Sequence, residues 1–73
     1  MSKLPAITGQ DCVAALQKLG FAVKRQHGSH IILRRDYPLR QVVVPDHRVL
    51  DRGTLRGILR QAGLDIDEFN KLL

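Results

Sequence analysis

Three runs of strand-type residues, 21–26, 30–35 and 40–44, lie so close together that only hairpins can join them. The first connection is the turn His27-Gly28-Ser29, and the second is the loop "RDYPL" around Pro38. A parallel pair would need a crossover of a dozen or more residues. The three runs are therefore predicted to form an antiparallel meander, ended by Pro45, which has no N–H to give to a ladder. Alternation along each strand turns Phe21, Val23, Ile31, Leu33, Val42 and Val44 to one face. The other face then presents His30, Ile32 and Arg34, with Lys24 nearby, together with Gln41 and Val43. Ile32 and Val43 have no evident reason to meet water.

Such a sheet needs its apolar face covered, and the flanking segments can do this. Thr8 reads as an N-cap with Asp11 three residues on, and Cys12, Ala15, Leu16 and Leu19 share one helical face. Gly20 closes that helix, predicted over 9–19. Asp51 caps a second helix whose apolar face is Leu55, Ile58, Leu59 and Ala62, closed by Gly63. Asp65 and Glu68 repeat the capping pattern before a short last helix with Phe69, Leu72 and Leu73. The order is α-β-β-β-α-α. The expected fold is α+β, a three-stranded antiparallel sheet with the helices on one face, in a single domain over 1–73.

A chain of 73 residues buries only about 60% of the surface that its unfolded form exposes, so the core is small. The single Cys12 excludes an internal disulfide and, within an apolar pattern, reads as a core residue in a reducing compartment. "MSKLPAITGQ" shows no apolar leader, and no run approaches the roughly 20 residues that span a bilayer. A soluble cytoplasmic protein, monomeric by itself and without a membrane partner, is expected. The net charge is +5, but its distribution says more. Between residues 18 and 60 there are ten Lys/Arg against three Asp, whereas from 61 onward three acidic residues face one Lys. A basic middle suits a polyanion, and nucleic acid is the commonest one; a basic surface kept for solubility is the plainer alternative.

The segments Gly28-Ser29-His30, Val44-Pro45 with His47, Gly53-Thr54-Leu55 and Ile58-Leu59, within "VPDHRVLDRGTLRGILRQAGL", resemble the HicA (YcfA-like) toxin family of bacterial toxin–antitoxin systems. The resemblance runs from the first helix through Gln61-Ala62-Gly63-Leu64. It implies a double-stranded-RNA-binding-domain-like (dsRBD-like) fold and a metal-independent ribonuclease that cuts mRNA and is held inactive by a HicB antitoxin. The family's catalytic histidine falls on His30.

The chemistry suits these residues. RNA is cut when its 2′-hydroxyl loses a proton and attacks the adjacent phosphorus, with the added charge stabilised. Histidine suits the proton step because its unperturbed pKa of roughly 6.5 lies near working pH. Lys and Arg suit the charge step. Lys24, Arg25 and Arg34 surround His30, Gly28 lets a phosphate approach the backbone, and Ser29 can donate a hydrogen bond. Taken alone, His30 reads as a surface histidine in a hairpin; with the family pattern it reads as the acid/base. A second proton-transfer group is not identified. His27 is the nearest candidate, ahead of Lys24 or a water, and His47 in its loop ranks lower.

His27 and His30 also have an H-x-x-H spacing, but positions i and i+3 of one strand point to opposite faces. No metal and no cofactor are expected. Arg52, Arg56 and Arg60 form a basic stripe on the second helix, suited to tracking phosphates or simply to a solvated face. Phe21 and Phe69 read as core and Tyr37 as a loop residue, so shape and backbone contacts fit better than base-by-base stacking. A non-catalytic RNA-binding module of the same fold is the alternative function, and a protein-docking module the third. In the leading reading the antitoxin covers the open sheet face over Ile32 and Val43.

Overall fold

A computed structural model describes residues 3–73. Met1 and Ser2, which begin the segment read above as lacking a leader, lie outside the described residues. The elements are α1 (Gly9–Gln17), β1 (Ala22–His27), β2 (His30–Asp36), β3 (Leu39–Pro45), α2 (Arg52–Ala62) and α3 (Ile66–Asn70).

Each helix starts where a polar side chain can accept from a backbone N–H that has no partner within the helix. Thr8 and Asp11 form a reciprocal capping box at α1, and Asp65 and Glu68 form another at α3. The Asp51 carboxylate accepts from Thr54 N–H at 2.7 Å and starts α2. That hydrogen bond holds the Asp51 carboxyl below the ordinary carboxylate value. Gly63 ends α2 in the left-handed region at φ 74°. α1 stops two residues short of the expected span, because the N–H groups of Lys18 and Leu19 bond three residues back, to Ala15 and Leu16. That tighter turn leads into Gly20 at φ 91°.

The sheet is antiparallel in the order β1-β2-β3. Ile31 pairs with Val44 and Leu33 with Val42, and all four are buried against α1 and α2 with Cys12, Leu16, Leu55, Ile58 and Phe69. Burial raises the Cys12 thiol to about 12, so it is an inert core group. The order of elements and the one-sided cover match the dsRBD-like α+β fold. No described helix is long and apolar enough to cross a membrane.

Two expectations about the sheet faces are corrected. Val23 pairs with Leu33 and so shares its face, yet it is 44% exposed. The helices pack mainly over β3, and every residue of β1 is exposed at the uncovered end of the sheet. Ile32 does lie on the open face, opposite Val43, but it is only 9% exposed, and Val43 is half-buried. Ile32 lies in a groove lined also by Lys24, Arg25, Arg34, Asp36 and Gln41, so polar side chains surround it. The open face is therefore a polar surface over an apolar floor, and the exposed apolar patch expected at Ile32 and Val43 is absent.

Candidate functional site

The turn between β1 and β2 decides where His30 stands. Gly28 has φ 58°, and no other residue type takes positive φ among the described residues. Positive φ at the first central position alone is the type II′ pattern, which suits the twist of a two-residue hairpin. A Cβ at Gly28 would meet no atom within 4 Å, so backbone conformation, not crowding, calls for glycine there. The Gln26 side-chain amide donates to the Gly28 carbonyl at 3.0 Å across the turn.

This turn makes His27 and His30 direct cross-strand partners. Opposed residues of an antiparallel pair share a face, with Cβ atoms about 5 Å apart. Positions i and i+3 face opposite ways only along one continuous strand; here the chain reverses between the two histidines, so the expected opposite placement is corrected. Both imidazoles are exposed at the same corner of the open face.

That corner is tied down from three sides. Asp46 N–H donates to the Ser29 carbonyl at 2.6 Å, and Gln10 Nε2 donates to Asp46 Oδ1 at 3.1 Å. Gly9 N–H donates to the His47 carbonyl at 2.9 Å. A Cβ on the buried Gly9 would overlap the Pro45 carbonyl oxygen, so only glycine lets α1 sit this close to the end of β3. Since His30 pairs with Pro45, the start of α1 also fixes the strand end that carries His30.

A shallow groove of about 280 Å³ continues along the open face, lined by Lys24, Arg25, Ile32, Arg34, Asp36 and Gln41. Strict alternation would give this face only one of Lys24 and Arg25. The β1–β2 register slips between Val23 and Arg25, a bulge that leaves Lys24 as the extra residue and brings both cations to the groove. Arg34 Nε meets Asp36 Oδ1 at 3.0 Å, with both side chains about half exposed. An exposed pair of this kind contributes at most about 1 kcal/mol, so Arg34 can exchange it for a phosphate at small cost.

The family model described as HicA toxin of bacterial toxin-antitoxin matches residues 9–64. The chain belongs to the HicA toxin family. No curated protein matches it closely enough to name a relative. The matched span includes His27, His30, the groove cations and the whole of α2, so the HicA family assignment and the open face concern the same residues.

The other candidates of this HicA family chain fall elsewhere. Arg52, Arg56 and Arg60 are exposed on α2, in the helical layer. Arg56 and Arg60 line a larger groove of about 590 Å³ against Leu59, Leu64, Ile66, Asp65 and Asp67, which carries no histidine. Arg35 and Arg40, cross-strand partners, point to the helix side. Arg35 lies 4.7 Å from the Phe21 ring centroid, and Arg40 Nη1 donates to the Gln61 carbonyl at 3.5 Å. His47 belongs to the loop held by Gly9. Among the described residues no three His, Cys, Asp or Glu side chains are grouped to hold a metal ion. What sequence reasoning missed is the His27–His30 pairing, although the signal was present: residues that flank a two-residue turn face each other.

Proposed function

We propose that this HicA family toxin cuts mRNA at the corner formed by His27 and His30, using no metal. One imidazole takes the proton from the 2′-hydroxyl as its oxygen attacks the adjacent phosphorus. The other gives a proton to the departing 5′-oxygen as the phosphorus–oxygen bond breaks. Lys24, Arg25 and Arg34 stabilise the charge that builds on the phosphoryl oxygens, and the Ser29 hydroxyl can donate to one of them. His30 is the principal acid/base, and His27 is the second group. The carrying observation is the cross-strand pairing of His27 with His30 on the open, basic face. Arg52, Arg56 and Arg60 add phosphate contacts away from the reacting atoms.

A HicB-type antitoxin would silence the toxin by covering this face. The covering surface would be acidic, to match the groove cations, with Ile32 and Val43 beneath the contact. Binding the native state would also stabilise this small core by mass action.

Purified protein incubated with labelled RNA in EDTA tests the reading. Wild type should cut, and His30→Ala should not, with an unchanged circular dichroism spectrum. His27→Ala should cut slower by roughly 10²–10⁴-fold. Near wild-type cleavage by His30→Ala would reject the assignment. RNA binding without cleavage by wild type would make the chain a binding module.

A further inference from the structure

We propose that Tyr37, at the tip of the β2–β3 hairpin, is a stacking post for an unpaired base of the bound RNA, a few nucleotides from the bond that is cut. The inference rests on the RNA-cleaving reading above and adds where the strand runs. Tyr37 is 93% exposed, whereas the other two aromatic residues, Phe21 and Phe69, are buried in the core. It is thus the one Phe, Tyr or Trp ring of the chain able to meet a base. Beside it Leu39 is 65% exposed. Leu39 pairs with Asp36 and follows the alternation of Gln41 and Val43, which puts it on the open face.

The path between His30 and the tip favours RNA over a protein as the occupant. β2 runs from His30 to Asp36, about 20 Å at the usual rise per strand residue. Lys24, Arg25 and Arg34 line the groove between these ends, and Asp36, its one acidic residue, is paired with Arg34. A single strand gripped through its phosphates along this groove, with a phosphate at His30, reaches the hairpin tip with a base free to stack. Base–aromatic stacking tolerates any sequence because every base has a π-face. One post of this kind fixes the strand's direction and length without reading its sequence.

The chain contains one tyrosine and no tryptophan, so its intrinsic tyrosine fluorescence reports Tyr37 alone. The experiment uses the full chain carrying His30→Ala and a single-stranded octanucleotide, with a dinucleotide too short to reach the tip as control. The octanucleotide should quench the emission, after correction for its absorbance, and the dinucleotide should not. Tyr37→Ala in the same background should weaken octanucleotide binding by about 5- to 150-fold and leave dinucleotide binding unchanged, while Tyr37→Phe retains the affinity. Octanucleotide affinity that is unchanged in Tyr37→Ala overturns the stacking post and leaves the cleavage reading intact. Quenching by the antitoxin but not by RNA makes the tip a protein contact and also overturns it. Absence of any RNA binding removes both readings together.

Discussion

Ile32 shows how a side chain on a solvent-facing strand surface becomes core. Its own strand sends it away from the helices, yet it is only 9% exposed, in a groove lined by Lys24, Arg25, Arg34 and Gln41. A side chain that only waits for a partner costs within about 0.5 kcal/mol when truncated. A packed isoleucine costs about 2 kcal/mol or more on truncation to alanine. Ile32→Ala is therefore expected to destabilise by about 2 kcal/mol in urea titration, with a normal slope. A midpoint equal to wild type would show that Ile32 packs nothing in the free protein and is a bare docking residue. At the same scale, His27 carries the main lesson about reading this sequence. The turn, the glycine and both histidines were legible. The pairing is not visible in the H-x-x-H spacing by itself, because the chain reverses inside it.

At the scale of elements, most of the fold could be read because its determinants are local. Thr8, Asp51 and Asp65 cap the three helices as their spacing to the next apolar run predicts, and alternation places Ile31, Leu33, Val42 and Val44 in the core. What local pattern does not encode is how neighbouring elements meet. Val23 follows the alternation rule for the covered face but lies beyond the helices' reach. The bulge in β1 depends on its pairing with β2, and it is what brings Lys24 and Arg25 together. At the other edge, Gln61 on α2 accepts from Val43 N–H at 3.2 Å, which blunts the free side of β3. These placements separate two sets of cations. Lys24→Glu, Arg25→Glu and Arg34→Glu combined should slow cleavage at saturating RNA and lower the log–log salt slope by about 0.7 per lost phosphate contact. Arg52→Glu, Arg56→Glu and Arg60→Glu combined should lower the slope while leaving the saturated rate unchanged. An unchanged slope for the second set would make that stripe an ordinary solvated helix face.

As a whole, the molecule is a slab of 33 × 27 × 17 Å, one sheet and one helical layer thick. Its two layers divide the work. The helices, the covered strand face and the Gly9–Pro45 contact hold the His27–His30 corner in place, and no helix covers the open face. In the proposed function this corner makes RNA cut itself through its own 2′-hydroxyl, with no metal. Mass spectrometry of the ends of an RNA cut by the purified protein in EDTA tests it most directly. One product should end in a 2′,3′-cyclic phosphate and the other should begin with a 5′-hydroxyl. Products with a 5′-phosphate and an intact 3′-hydroxyl would mean that water attacked the phosphorus, and would contradict it.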